Sequence, residues 1–219
     1  MIMQRFFDII FSLFALIILA PLLVPIALVL KLTGEHDIFY VQERIGKGGV
    51  PFGLLKFATM LRNSPNVGTG DITVKNDPRV LPFGSFLRKS KINELPQLLN
   101  ILKGDMSIVG PRPMVPKTYK NYGEKGIEVY SVRPGLTGIG SIIFRDEEKH
   151  LDNQSDPMAF YVKIIIPYKT KIELWYLERK SIFMYFQIIF FTAWVIIKPK
   201  SNWYQDIFDE LPELPSELL

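Results

Sequence analysis

Two residue types that build many functional sites are scarce in this chain of 219 residues, which has no cysteine and only two histidines. The chain therefore forms no disulfide, and a transition-metal cage of thiolates and imidazoles is not expected. It also lacks a basic stripe with interleaved aromatic residues, so nucleic acid is not an expected partner. The glycine-rich residues 46–49 do not have the GxxxxGK[ST] spacing, which excludes a P-loop at that position.

The composition instead favours anionic partners and a membrane. A formal net charge of +4 suits phosphates, nucleotides or lipid headgroups. The hydrophobic fraction of 48% is ordinary, but the apolar residues concentrate towards the two ends of the chain. This length is enough for one modest domain with a membrane element.

The first apolar run covers residues 9–30, which include no charged residue, and Arg5 and Lys31 flank it. As one straight helix it would reach across a hydrocarbon core of roughly 30 Å. A signal peptide is disfavoured, because the run is too long and no small-residue cleavage site follows. Pro21 and Pro25 each remove a helix hydrogen bond, so the helix either spans with a kink or breaks and returns to the face it entered.

The second apolar run, Ile182–Ile197, is shorter than a typical span. Its aromatic residues suit an interfacial helix in the headgroup plane, and a buried core helix is the alternative. We divide the chain into a membrane anchor at residues 1–34, a cytoplasmic domain at 35–200 and an acidic tail at 201–219. A loosely held end is expected of such a tail.

Between the two apolar runs, residues 88–113 read RKSKINELPQLLNILKGDMSIVGPRP. A helix is expected to begin near Asn93, because Pro96 is tolerated only in a first turn, and to stop at Gly104. Glu94 would then lie at the positive end of the helix dipole, where anions are favoured. The helical spacing predicts one buried stripe, made by Leu95, Leu98, Leu99 and Leu102.

This segment resembles the signature of the bacterial sugar transferases known as monotopic phosphoglycosyl transferases, whose usual form is DELPQL…N.LKGDMS..GPRP. The resemblance extends from about Arg5 to Ile197. It includes a Q.R.G..G..F pattern from Gln42 to Phe52, a KFRTM-like run at residues 56–60 and RPGLTG at residues 133–138.

The resemblance implies a small α/β or α+β domain on the cytoplasmic face of the bacterial inner membrane. A broken, re-entrant helix with breaks at Pro21 and Pro25 would anchor it, together with interfacial amphipathic helices. The implied activity is transfer of a sugar-1-phosphate from a UDP-sugar to polyprenol (undecaprenyl) phosphate, with release of UMP, at the start of a surface glycan. Membrane lipids are implied partners, and a homo-oligomer is left open.

The resemblance also assigns site residues. Glu94 is expected to bind Mg²⁺, a cation that carboxylates hold together with substrate phosphates. Lys56 would neutralise developing charge, and Arg112, held between two prolines, would present a stiff guanidinium fork to phosphate. The other expected phosphate- or nucleotide-binding residues are Arg145, Arg133, Arg88 and Thr59.

Asn93 departs from the family pattern, because it stands where the family has its nucleophilic aspartate. A neutral amide cannot form a covalent aspartyl–phosphosugar intermediate, and Asn is also a favoured helix cap. Three explanations compete: a natural variant that uses Glu94 or direct attack by polyprenol phosphate, a carboxylate-to-amide change that stops turnover, or a catalytically silent membrane partner of glycan assembly. Further departures at Ala20, at Ala58 and after Thr137 favour the natural variant.

A single-span protein whose soluble domain binds nucleotides is a further alternative.

Overall fold

The computed structural model describes residues 2–67, 77–145, 150–151, 154–198, 207–208 and 210–218. It divides into two compact units, each built from several stretches of the chain. The larger unit contains Met1–Asp8, Arg44–Phe52 and Asp105–Leu219. The smaller unit contains Ile9–Glu43 and Gly53–Gly104.

Helices dominate the described residues, and the strands are short. The strands are β1 (Phe39–Ile45), β2 (Pro51–Phe57), β3 (Ser107–Val109) and β4 (Gly135–Thr137). The α-helices are α1 (Ile2–Leu32), α2 (Pro82–Lys89), α3 (Gln97–Lys103), α4 (Pro116–Tyr119), α5 (Gly123–Val129), α6 (Ile139–Ile143), α7 (Pro157–Phe160), α8 (Ile166–Arg179) and α9 (Ile182–Ile197). The predicted mixed fold with a long apolar N-terminal helix is confirmed.

Helix α1 is long and apolar enough to cross a membrane, with 31 residues that include Pro21 and Pro25. Only 11% of its most apolar 18-residue window is buried inside the protein. Large apolar side chains such as Phe14, Ile17 and Leu28 are exposed along it. Such a surface needs an apolar environment. A re-entrant break at the two prolines stays a prediction.

The smaller unit has its own apolar core beneath the C-terminal half of α1. Ile26 and Leu30 of α1 pack with Phe57 of β2 and Leu87 of α2. Ile92 packs against the same cluster from the segment that follows α2. The core therefore fixes β2, α2 and the first part of the 88–113 segment to one another.

The predicted helix start at Asn93 is wrong, because α3 begins at Gln97. Residues Ile92–Glu94 form a 3₁₀ turn instead, and the following N–H groups continue to bond three residues back, as Leu98 does to Leu95. Pro96 has no N–H to give, so the α-helical pattern starts only after it. Asn93 is therefore not the cap of α3. The predicted stop at Gly104 is confirmed, since Gly104 adopts φ 101° and donates to Asn100 O.

The predicted leucine stripe of this segment is wrong in part. Leu98 is buried, but Leu99 is 42% exposed. Ile101, which the stripe omits, is fully buried. Leu95 lies before α3, so the helical spacing counted from Leu95 does not apply to this helix.

The larger unit is built on a parallel pair, β3 and β4, with Ser107 opposite Gly135 and Val109 opposite Thr137. The backbones approach closely beside this pair, since a Cβ on Gly135 would lie 2.2 Å from Gly110 N. This approach accounts for the glycine without a functional role. Thr137 also bonds Thr192 of α9 at 2.7 Å, so the strand pair and α9 are joined.

Helix α9 has one buried and one exposed side, so it combines features of both predicted alternatives. Met184, Tyr185 and Ile188 are buried, whereas Phe183 and Phe190 are exposed.

The expectation of a loosely held tail is wrong where the tail is described. Phe208 is buried and its ring packs on Trp175, and the carbonyl of Pro212 accepts from the Tyr168 hydroxyl at 2.8 Å. Apolar side chains within the acidic run provide this attachment. Residues 201–206, 209 and 219 lie outside the described part.

Candidate functional site

A tight turn in the smaller unit carries three of the predicted site residues. Lys91 adopts φ 59°, a left-handed conformation that is uncommon for residues other than glycine. Its N–H bonds Arg88 O and its carbonyl accepts from Glu94 N–H, both at 3.1 Å. Arg88, in the last turn of α2, and Asn93 and Glu94, which follow α2, are thus held on one short segment. Strained backbone of this kind clusters at functional sites.

Asn93 is the unusual member of this turn. It is only 6% exposed. Among the described residues its Oδ1 atom has no hydrogen-bond partner. A buried amide oxygen without a partner costs about 1–3 kcal/mol, so it is normally satisfied by protein, water or ligand. Asn93 is therefore a candidate ligand-binding residue beside Glu94.

Asn100 attaches this segment to the strand that carries Lys56. Its Oδ1 accepts from Leu55 N–H at 2.9 Å, and its Nδ2 donates to Gly53 O at 2.8 Å. Ile92 meanwhile shares a core with Phe57. The half-buried Lys56 therefore belongs to a strand fixed to both ends of the Asn93–Glu94 segment. The structure brings these predicted residues into one unit.

Thr59 is buried just after β2. Its carbonyl accepts from Leu81 N–H at 3.0 Å, and it lies so close to Gly84 that a Cβ there would be 2.2 Å from it. Arg88, in the last turn of α2, directs Nη1 to Met60 Sδ at 3.6 Å. The run from Thr59 to Met60 is thus joined to α2, and its predicted phosphate contacts stay predictions.

A buried ion pair supports the same region without being part of the predicted site. Arg79 donates from Nε and Nη2 to the two carboxylate oxygens of Asp77, at 2.8 and 2.6 Å. Its Nη1 donates to the carbonyls of Ser64 and Val67. Because each of these groups is satisfied inside the protein, the pair acts as a structural clamp.

The other predicted cations lie in the larger unit. Arg112 is exposed, but its backbone is held on both sides. Its carbonyl accepts from the Tyr130 hydroxyl at 2.7 Å, and the next carbonyl, of Pro113, accepts from Arg44 Nη1 at 3.0 Å. The predicted stiff presentation of Arg112 agrees with these contacts.

Arg145 and Arg133 occupy different surroundings. Arg145 has a buried Nη1 atom without a hydrogen-bond partner among the described residues, and its predicted contact with phosphate stays a prediction. Arg133 is exposed and lines a pocket of the larger unit. The predicted residues therefore form two sets, with Lys56, Thr59, Arg88, Asn93 and Glu94 in the smaller unit and Arg112, Arg133 and Arg145 in the larger.

Sequence reasoning missed Glu173 of α8. Its side chain is buried, and Oε2 has no hydrogen-bond partner among the residues that the structure describes. Burial raises the pKa of this carboxyl to about 7, although Lys169 and a hydrogen bond from the Gly140 backbone oppose the rise. Its charge also contributes to the raised pKa of Tyr130, whose main cause is burial. No pattern in the sequence distinguishes it from a surface glutamate.

Asp8 was also missed, although it is an acid at the start of an apolar helix. Its buried Oδ1 accepts from Ser107 Oγ, Ile108 N–H and the Tyr185 hydroxyl, at 2.9–3.1 Å. Burial is the main cause of the raised pKa of Tyr185, and the neighbouring Asp8 raises it further. The phenol therefore stays protonated. Asp8 thereby joins the first turns of α1 to β3 and α9.

No group of three or more His, Asp or Glu side chains gathers in the described part of the chain. A closed protein cage for a metal is thus not observed there. Mg²⁺ commonly binds through one or two protein oxygens together with substrate phosphates and waters. The Glu94 carboxylate and the Asn93 amide oxygen, which has no partner among the described residues, are oxygen ligands of the kind that this open mode of binding uses.

Residues 1–199 match the family described as bacterial sugar transferase. The chain is 39% identical over 160 residues to the exopolysaccharide production protein ExoY of Sinorhizobium fredii, covering 67% of this chain and 71% of that protein. It is 35% identical over 199 residues to the UDP-glucose:undecaprenyl-phosphate glucose-1-phosphate transferase of Xanthomonas campestris, covering 89% and 38%. It is 31% identical over 212 residues to the undecaprenyl-phosphate galactose phosphotransferase of Salmonella typhimurium, covering 90% and 40%.

The chain spans about two fifths of the length of several curated relatives that it matches. The similarity covers the N-terminal helix and both compact units.

Proposed function

Since the chain belongs to the bacterial sugar transferase family, we propose that it transfers a sugar-1-phosphate from a UDP-sugar to undecaprenyl phosphate and releases UMP. The predicted family is confirmed. The observation that supports this activity most strongly is the family match over residues 1–199. Two of the similar proteins are named for sugar-phosphate transfer to undecaprenyl phosphate. The alternative of a catalytically silent partner gains no support from these names.

In the proposed reaction, an oxygen attacks the sugar-bearing phosphorus of the donor. The bond from that phosphorus to the oxygen bridging it to UMP breaks, and UMP leaves with the bridging oxygen. Positioning and charge stabilisation supply most of the catalysis in such transfers. Lys56 and Arg88 are the cations of the smaller unit that we assign to binding phosphate oxygens. Arg112 and Arg145 are the candidates for the same chemistry in the larger unit.

Asn93 has no anionic oxygen, so we propose that the reaction forms no covalent bond to residue 93. Either the acceptor phosphate attacks the donor directly, or Glu94 carries the sugar phosphate in between. The partnerless oxygen of Asn93 supports a ligand-binding role beside Glu94 in both routes.

We further propose that Glu94 holds Mg²⁺, with Asn93 Oδ1 as a second protein oxygen. These oxygens fit the preference of Mg²⁺ for oxygen ligands. The cation would neutralise charge on the diphosphate when it is bound. The residues themselves contribute a carboxylate on Glu94, whose backbone N–H bonds Lys91 O, and an amide oxygen shielded from bulk water.

We propose that α1 seats the protein in the bacterial inner membrane, with the catalytic residues on the cytoplasmic face. The exposed apolar surface of α1 supports the membrane seat. Its charged flanks, Arg5 and Lys31, suit a hairpin with both ends on the cytoplasmic side.

A screen of UDP-sugars tests the activity. The full chain in detergent receives undecaprenyl phosphate, Mg²⁺ and one donor at a time, and UMP is measured. One donor should give UMP. Release that requires undecaprenyl phosphate indicates direct attack, and release accompanied by an adduct on Glu94, detected by intact mass, indicates a covalent intermediate. If every UDP-sugar tested fails to give UMP with correctly folded protein, the proposed function is wrong.

A further inference from the structure

A pocket of about 180 Å³ lies in the larger unit, between the first turns of α1 and the junction of α8 and α9. Its lining includes Gln4 and Asp8 of α1, Ser107 of β3 and Tyr176 of α8. None of the lining residues comes from the Asn93–Glu94 segment. The volume is below the roughly 300–1,000 Å³ of sites for drug-sized ligands, so a small group fits better than a whole nucleotide.

The pocket is strongly cationic. Among the described lining residues, four are cations, Arg5, Lys47, Arg133 and Lys180, and one is an acid, Asp8. These four cations come from four separate stretches of the chain and converge only in the fold. Several like charges around one small concavity concentrate anions there.

Hydrogen bonds hold the polar side chains of the pocket in place. Asp8 is 1% exposed and its Oδ1 already accepts three hydrogen bonds, including that from the Tyr185 hydroxyl. Gln4 Nε2 donates to Ser107 Oγ and Val109 O at 2.9 and 3.0 Å. Asp8 therefore joins α1 to β3 and α9 through its hydrogen bonds, and the four cations of the lining outnumber its one carboxylate.

Several residues close in sequence to those lining the pocket are apolar and exposed. In the first turns of α1, Ile2 and Phe6 are 92% and 58% exposed, and in α9 Phe183 is 69% exposed. The two helices touch here, since the rings of Phe7 and Phe186 lie 5.0 Å apart. A cationic cavity bordered by exposed apolar residues suits a headgroup level, with the charge at the polar layer and the apolar residues in the acyl layer.

We propose that this pocket binds a phosphate group, separately from the Asn93–Glu94 segment, and that its apolar border favours a phosphate carried on a lipid. Free phosphate shares the chemistry and is the other possible source. Binding to the pocket is measured without turnover, so it can be present or absent independently of the transfer reaction.

The test is native mass spectrometry of the full chain from an uncharged detergent. Dihexanoyl phosphatidic acid and inorganic phosphate are titrated separately. The double variant Lys47→Gln with Lys180→Gln should raise the dissociation constant for the bound probe on the order of tenfold, because two converging charges are lost. The control, Lys120→Gln with Lys125→Gln, removes the same charge from exposed sites of the same unit and should change it less than about twofold.

Tighter binding of the lipid phosphate assigns the source as lipid, and equal binding of both probes assigns it as free phosphate; either outcome supports the pocket as a phosphate site. Equal weakening by the pocket and control variants overturns the proposal, as does an absence of binding by both probes. Glu94→Gln should leave the dissociation constant unchanged. If Glu94→Gln abolishes binding, the phosphate site is the Asn93–Glu94 segment and the proposal is wrong.

Discussion

Asn93 and Asn100 lie seven residues apart in one segment, and both are buried, at 6% and 2% exposure. Asn100 uses its oxygen and its nitrogen to hold β2. Asn93 leaves its oxygen without a partner among the described residues. The same side chain thus uses its oxygen in the fold at one position and leaves it unsatisfied by the described residues at the other.

The difference separates stabilising residues from ligand-binding ones. A satisfied buried group contributes to stability, and its loss strands its partners. An unsatisfied one has already incurred its desolvation cost, so its loss should affect ligands more than folding. The Asp77–Arg79 pair resembles Asn100 as a stabilising feature, because its described hydrogen bonds are made within the protein.

The largest effect is expected at Glu94, the neighbour of the partnerless oxygen. Glu94→Gln removes the proposed metal-binding charge and should lower the transfer rate on the order of a thousandfold, with a small change in Tm. UMP release and thermal unfolding measure the two quantities. Glu43→Gln, an exposed acid, is the control. If Glu94→Gln transfers at the wild-type rate, Glu94 does not have the proposed role in the reaction.

Asn93→Asp gives the segment the acid that the family pattern has there. It should form a phosphosugar adduct at residue 93 with the donor alone, releasing at most about one UMP per protein. Intact mass and peptide mapping locate the adduct. The wild-type chain should show none at residue 93. An adduct on Asn93 itself would contradict the proposed chemistry.

Asn100→Ala should have the opposite profile, with a loss of stability. It strands Leu55 N–H and Gly53 O, so the free energy of unfolding should fall by about 2–3 kcal/mol. Thermal or denaturant unfolding measures the change, and the exposed Asn121→Ala serves as the control. If Asn100→Ala is as stable as wild type, the two asparagines do not differ as described.

Glu173 extends the comparison to a buried acid with a partnerless oxygen. Its pKa rises from 4.5 to about 7 in the folded protein. The folded state therefore keeps a proton that the unfolded chain loses, and stability falls as the pH rises from about 4.5 to about 7. Glu173→Gln avoids this loss and should be more stable than wild type at pH 8, on the order of 3 kcal/mol, with little difference near pH 4.

Unfolding across this pH range tests that difference, with the exposed Glu178→Gln of the same helix as the control. A constant difference between Glu173→Gln and wild type at every pH would show that the carboxyl does not titrate as described.

Local patterns predicted the parts of the fold that depend on local chemistry. The apolar runs gave α1 and α9, and Gly104 ended α3 where a left-handed residue was needed. The start of α3 was missed because Pro96 and the left-handed Lys91 shift the preceding turn into a 3₁₀ form. Propensity alone does not reveal such a shift.

The candidate site was predictable only as far as the motif extends. Glu94 and Asn93 were identified from their segment, but the free oxygen of Asn93 depends on which groups surround it in the fold. Asp8, Lys47 and Lys180 are separated by long stretches of chain and come together only through tertiary packing. Composition predicts an affinity for anions without locating the cations that provide it.

The most direct test of the central claim is the transfer rate per folded molecule of Asn93→Ala, measured well below its Tm. The claim is that the partnerless oxygen of Asn93 serves the substrates and not the fold. We expect the rate to fall about a hundredfold while the Tm stays close to wild type. A normal rate with a clearly lowered Tm would show that Asn93, like Asn100, is a structural residue.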